Sequence, residues 1–328
     1  YTLTVTDGTK TLTATNILIG DVWHLAGQSN SYYPIERFTD DADEWLKAAD
    51  YPEVRFIEPT SAVTGHLPHS LNQDYWYPLS SATAGKCSAL GFFFVKELRK
   101  TVNVPMGIVN SAADGTTIAK WLPSTTERNG YATKIVNDFE PLAPFPVKGV
   151  IWYQGESDGM FSNTRYRYDL QNLIRQWRTV WEDADMPFLI PQLPFYGQYD
   201  DKWAQIRLSQ NWVAAQEANV HVVSTLDIGD LEAIHPRKKP ELGARLSLFA
   251  RRYIYGETDI YPDGPVYKSC EVNPSDASEL LVHFNVHGSI MSRDGQALKG
   301  FKVGGMRGGA RQYYDGTVRI VNGTTLGV

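Results

Sequence analysis

Ser29, His235 and the carboxylates Glu156 and Glu232 are the residues of this 328-residue chain whose types could combine into nucleophilic catalysis. A serine hydroxyl attacks a carbonyl only when a base takes its proton. The base in turn works best when a third group fixes its tautomer and amide donors hold the developing oxyanion. Ser29 sits in Gly27-Gln-Ser-Asn30, directly after the apolar run of residues 22–26. The small and polar neighbours let the backbone approach a substrate and leave amides free to donate. The pattern differs from the G-x-S-x-G elbow, because Asn30 and Ser31 follow the serine. Taken alone, these four residues read equally as a polar turn after a strand.

Elements must bring such distant residues together, and the chain offers them. Short apolar runs at 22–26, 54–57, 106–110, 150–153, 188–193 and 220–225 alternate with segments of helical period. In the clearest of these, Tyr166, Leu170, Leu173, Ile174, Trp177, Val180 and Trp181 recur at three and four residues and predict one helix face. Further helices are expected at 88–100, 202–217 and 242–253. Strands alternating with helices imply parallel pairing with right-handed crossovers, hence an α/β domain of three α/β/α layers. Pro191 predicts that its strand lies near a sheet edge. Parallel strands present their carboxyl ends on one side, where such sheets bind ligands. Four strand ends carry chemistry there: Ser29; Ser111-Ala-Ala-Asp-Gly-Thr-Thr117; Gln154-Gly-Glu-Ser-Asp158; and the stretch from Asp227 to His235-Pro236. That is an inventory for acyl transfer.

Gly27-Gln-Ser-Asn30, the turn Gly115-Thr116 with Trp121, Trp152-Tyr-Gln-Gly-Glu-Ser157 and Ile234-His-Pro-Arg-Lys-Lys239 together resemble the blocks of SGNH hydrolases. More narrowly, they resemble the sialate O-acetylesterase branch, close to the acetylxylan esterases of carbohydrate esterase family six. The likeness runs in order over roughly residues 16–256. It implies a flavodoxin-like SGNH hydrolase fold, a serine esterase without cofactor, removal of acetyl groups from a sugar hydroxyl, and a secreted or periplasmic location. Carried over residue by residue, Ser29 is the nucleophile, His235 the base, and the amides of Ser29 and Gly115 with the Gln154 side chain the oxyanion hole. Asp114 stands where the branch usually has a glycine, which leaves that half of the hole less defined. The acid is Glu156, from the Q-G-E block, or Glu232, three residues before the histidine. We favour Glu156, since a strand end is geometrically firmer than a loop. A backbone carbonyl serving His235, which would make a dyad, stays open. Tyr32 and Trp121 are the candidate sugar-stacking aromatics. His24 is read as packing, Asp227 and Asp230 as loop caps, and the run 237–239 as a solvated helix entry.

The remaining features set bounds. A formal net charge of −6 gives no basic footprint for nucleic acid or an anionic membrane surface. No apolar run approaches the ~18 residues needed to cross a bilayer. The chain opens at Tyr1 and reads as a mature or trimmed form, so the lack of a leader is silent on compartment. Cys87 and Cys270 build no disulfide framework, and whether they pair is open. His66 and His69 flank Leu67-Pro68, a loop rather than a metal site. The expected organisation is a hairpin over 1–16 around Asp7-Gly8, the esterase domain over 17–262, and a small antiparallel β-unit over 263–328. The expected function is a carbohydrate O-acetylesterase acting on an acetylated saccharide, most plausibly sialic acid. The alternatives are an acetylxylan or other glycan acetylesterase and, outside enzymes, a catalytically silent carbohydrate-binding module.

Overall fold

A computed structural model describes residues 1–37, 42–57, 76–122, 143–292 and 294–328. His66 and His69 lie outside the described residues. The chain divides into two compact units, Tyr1–Ile260 and Tyr261–Val328.

The first unit is built on a seven-stranded sheet. Its strands are β3 (Asp21–Gly27), β4 (Asp50–Ile57), β5 (Tyr77–Ser80), β6 (Met106–Asn110), β7 (Gly149–Tyr153), β8 (Phe188–Pro191) and β9 (Val220–Val223), in the order β5-β4-β6-β3-β7-β8-β9. Only β5 runs antiparallel, on β4; all other neighbours are parallel. The chain fills one side of β3 first and then crosses to β7 on the other. The point of reversal therefore lies at β3, and its carboxyl end opens on the crevice where open α/β sheets bind ligands. A separate hairpin, β1 (Leu3–Thr6) with β2 (Thr11–Ala14), closes at the Asp7-Gly8 turn, where Asp7 Oδ1 accepts from the Thr9 and Lys10 amides.

Helices α1 (Ser29–Tyr32), α2 (Ala42–Lys47), α3 (Ala89–Leu98), α4 (Glu156–Met160), α5 (Tyr166–Val180), α6 (Asp200–Gln216) and α7 (Lys239–Tyr253) complete the unit. Alternation along β3 shows why there are two helical layers. Trp23 meets Phe94 of α3 edge-on at 4.8 Å, whereas the next residue, His24, stacks on Trp177 of α5 at 5.4 Å. Successive strand residues point to opposite faces, so β3 is apolar on both. Helices α3 and α7 pack together, as do α5 and α6. The predicted face of α5 is buried at Tyr166, Leu170, Leu173, Ile174 and Trp177, while Val180 at the helix end is exposed. Each large side chain buried in this way contributes about 1.5–3 kcal/mol relative to exposure.

The strand of Pro191 does lie near a sheet edge, one strand in from β9. Strand β8 lies between β7 and β9, and Pro191 is its last residue. Pairing with β7 stops at Leu189, so the missing N–H of Pro191 falls past the end of that ladder. The second unit is antiparallel throughout its paired strands. It holds a four-stranded sheet of Val266–Asn273, Asp276–Asn285, Thr325–Gly327 and Arg319–Asn322, and a hairpin of Lys302–Arg307 with Ala310–Asp315. Cys87 is buried and Cys270 exposed, and they are not joined by a disulfide. Among the described residues, no helix is long and apolar enough to cross a membrane.

Candidate active site

The nucleophile turn is fixed by backbone from three sides. Gly27 takes φ +121°, a conformation that side chains rarely adopt, and the Gln28 amide then donates to the Tyr153 carbonyl at 3.0 Å. The Ala113 amide donates to the Gly27 carbonyl at 2.9 Å, and Ser88, the N-cap of α3, donates from Oγ to the Ser31 carbonyl at 2.6 Å. Ser29 is thereby held at the first position of α1, with 3% of its surface exposed. The first N–H groups of a helix have no intrahelical acceptor, so the Ser29 amide is available to a ligand.

The structure brings His235 to this serine: His235 Nε2 lies 2.8 Å from Ser29 Oγ across 206 residues of sequence. The ring is half-buried and stands edge-on to Tyr33, with centroids 5.2 Å apart. Burial, first, and the neighbouring Lys239 cation, second, hold the imidazole below its ordinary value, and Arg37 adds to this. Asp114 opposes them. At neutral pH the ring is therefore a free base, which is the form that can take the Ser29 proton.

Neither candidate acid is bonded to His235. Glu156, fully buried at the start of α4, accepts from Asn30 Nδ2 through Oε1 at 2.6 Å, and its Oε2 has no hydrogen-bond partner. Burial raises this carboxyl to about 7, against the lowering effects of Asn30 and Lys239. Glu232 is exposed, and among the described residues its backbone amide donates to Asp230 Oδ1 at 2.8 Å. Strand-end placement brought Glu156 to Asn30, the neighbour of Ser29, and not to the imidazole for which it was favoured. Asp230 caps the loop through the amides of Glu232 and Ala233, and Asp227 pairs with Arg245 at 2.6 and 2.7 Å.

The oxyanion donors divide. Gly115 has φ +65° and is exposed, with open space where a Cβ would stand. Gln154 is different. Its Nε2 donates to Asp158 Oδ2 at 2.6 Å, the Thr116 carbonyl at 3.0 Å and Gln28 Oε1 at 3.2 Å. Two amide hydrogens facing three acceptors leave none for an oxyanion, so Gln154 is a strut joining three catalytic blocks. Trp121 is also a strut. It is 1% exposed, donates from Nε1 to Thr116 Oγ1 at 3.0 Å and packs edge-on to Trp152, so it presents no ring face for a sugar. Tyr32 is half-buried beside Tyr33.

Three groups were missed at the level of sequence. Asn30 donates to Glu156 and to the Ile234 carbonyl, at 2.6 and 3.1 Å, and accepts from Lys239 Nζ at 2.8 Å. Lys239 is 1% exposed, which corrects the reading of 237–239 as a wholly solvated entry; only Arg237 and Lys238 are exposed. Asp114 accepts from Tyr33 Oη at 2.5 Å at the mouth of the site. The one available signal was spacing: Lys239 follows His235 by four residues at the start of a helix. His24, by contrast, is the packing residue expected, buried against Trp177 and Trp181 with Nε2 2.5 Å from Ser111 Oγ.

Comparison with known proteins agrees with this arrangement. A family described as carbohydrate esterases, sialic acid-specific acetylesterases, matches residues 19–250. The sialate O-acetylesterase of Pongo abelii is 27% identical over 307 residues, covering 80% of this chain and 58% of that protein. The sialate O-acetylesterase of Mus musculus is 26% identical over 334 residues, covering 80% and 61%. This chain therefore spans about three fifths of the length of these relatives. A carbohydrate acetylesterase structure from Xanthomonas citri superposes with a TM-score of 0.88 at 31% identity, covering 100% of this chain and 76% of that one. On the strength of the family match across its whole catalytic unit, the chain belongs to the sialic acid-specific acetylesterase family of carbohydrate esterases.

Proposed function

We propose that this protein is a serine esterase that removes O-acetyl groups from a carbohydrate, with sialic acid as the favoured sugar. The observation that carries the proposal is the 2.8 Å contact between Ser29 Oγ and His235 Nε2. It lies within the reach a general base needs. His235 takes the Ser29 proton as Oγ bonds to the acetyl carbonyl carbon. The carbonyl oxygen becomes an oxyanion, held by the Ser29 and Gly115 amides. The imidazolium returns its proton to the sugar oxygen as the C–O bond breaks, leaving acetyl on Ser29. A water activated by the same imidazole then releases acetate. Glu156 acts through Asn30 rather than on the ring, so its carboxylate stands one residue removed from the reacting Ser29–His235 pair.

The family description supports sialic acid. The similar Xanthomonas citri protein is described more broadly, as a carbohydrate acetylesterase, which favours a second reading in which the acetyl group sits on a neutral glycan such as xylan. Acetate release from O-acetylated sialic acid and from acetylated xylan, measured side by side, separates the two. Faster release from xylan would overturn the sialate assignment and leave the esterase assignment standing.

A further inference from the structure

Behind the nucleophile lies a line of buried polar groups that the reaction as written does not use. Lys239 Nζ donates to Asn30 Oδ1 at 2.8 Å and to the Pro236 carbonyl at 2.9 Å. Asn30 Nδ2 donates to Glu156 Oε1 at 2.6 Å and to the Ile234 carbonyl at 3.1 Å. The three side chains are at most 1% exposed. The two carbonyls belong to the residues on either side of His235, and Asn30 follows Ser29 directly in the chain. The Lys239–Asn30 and Asn30–Ile234 bonds tie the segment carrying the imidazole to the turn carrying the hydroxyl, the Asn30–Glu156 bond ties that turn to the first residue of α4, and the Lys239–Pro236 bond braces the imidazole segment itself.

We infer that Lys239, Asn30 and Glu156 form a buried clamp that sets His235 against Ser29, with Lys239 as a positioning residue. This rests on the esterase reading above. The amide of Asn30 has one orientation that satisfies both ends: its oxygen toward the ammonium and its NH2 toward the carboxylate. Reversing it would set like dipoles against both charges. Glu156 Oε2 has no hydrogen-bond partner, and Asn30, the Glu156 backbone amide and the Lys239 charge compensate the buried carboxylate.

The charges that face His235 from its surroundings are few. Lys239 comes from the start of α7, Arg37 from the turn after α1, and Asp114 from the loop after β6. Tyr33 contributes a ring edge. Lys239 is the buried one of the two cations, so its field is screened least by salt. Removing it should make the imidazole easier to protonate and should loosen its position.

The test compares wild type, Lys239→Met and the double variant Glu156→Gln with Lys239→Met, using the pH profile of kcat/KM for p-nitrophenyl acetate. The double variant removes both buried charges together, so it avoids the destabilisation that leaving Glu156 uncompensated brings to the single variant. We expect the acid limb of both variants to move to higher pH by roughly one unit and the plateau to fall about tenfold through lost positioning. An acid limb and plateau that coincide with wild type in the folded double variant would overturn the clamp. Wild type that fails to hydrolyse the ester, or hydrolyses it equally well as Ser29→Ala, would instead overturn the esterase reading.

Discussion

Gln154 gives its amide to Asp158, with Nε2 and Oδ2 2.6 Å apart in the fully buried floor of the site. Asp158 also accepts from the Ile118 amide and from Asn163 Nδ2, both at 2.8 Å, so one carboxylate joins three segments. A strut and an oxyanion donor behave differently on removal. Gln154→Ala should lower the urea midpoint, since it removes one of the hydrogen bonds that a buried carboxylate accepts, at a cost of about 2 kcal/mol, while the Ile118 amide stays on the same oxygen. It should leave kcat within about tenfold, whereas loss of a true oxyanion donor costs about 10²–10³. Equilibrium unfolding and kcat on one protein preparation distinguish the two.

Glu156 and Lys239 give stability a distinctive pH dependence. Burial raises Glu156 from 4.5 to about 7, so the folded state binds more protons than the unfolded state across that window. Stability then falls as pH rises from about 4.5 to 7. Burial lowers Lys239 from 10.5 to about 7, so the unfolded state binds more protons above neutrality and stability recovers toward pH 10.5. The pair thus contributes a shallow minimum near neutrality. Thermal melts of wild type minus those of the charge-free double variant should trace that minimum; a flat difference curve would contradict it.

His24 acts in the opposite sense at acid pH. Complete burial holds its imidazole down to about 3 from 6.5, so the folded state keeps it neutral while the unfolded chain protonates. Its contribution to stability is present above pH 6.5 and is lost as pH falls toward 3. His24→Phe, which keeps an aromatic ring against Trp177, should flatten the dependence of unfolding free energy on pH in that window. Urea titrations at several acid pH values would show it.

Two glycines with positive φ should respond very differently to alanine. At Gly27 a Cβ would stand 2.0 Å from the Tyr153 carbonyl oxygen, with φ +121°. Backbone would have to move under the nucleophile, so Gly27→Ala should cost more than about 3 kcal/mol and most of the activity. At Gly115, φ is +65° and no atom lies within 4 Å of the added carbon. Gly115→Ala should cost only the left-handed backbone penalty of about 1–2 kcal/mol and should keep its amide donor.

Much of the fold was legible because hydrophobic period reports burial directly. The apolar runs became strands of one sheet, the face from Tyr166 to Trp177 became the buried side of α5, and the Asp-Gly and Asn-Gly turns separated antiparallel strands. Placement at strand ends also brought Ser29 and His235 into hydrogen-bond contact, with Glu156 bonded to the residue next to Ser29. The partners of polar side chains were not legible, because hydrogen bonds depend on ångström-scale geometry that residue type and spacing do not encode. Glu156 met Asn30 instead of His235, Gln154 was absorbed by Asp158, and Trp121 turned inward to Thr116. Lys239 stayed hidden for a related reason: a lysine beside Arg237 and Lys238 looks solvated until the fold buries it.

The central claim is that Ser29 carries the acetyl group in mid-reaction, and it is tested most directly by acid-quenching the enzyme during turnover of O-acetylated sialic acid and mapping acetyl by peptide mass spectrometry. Acetyl on Ser29 in wild type, with none on Ser29 in His235→Ala, is the predicted result. Steady acetate release with Ser29 unmodified, or an undiminished rate in Ser29→Ala, would contradict it.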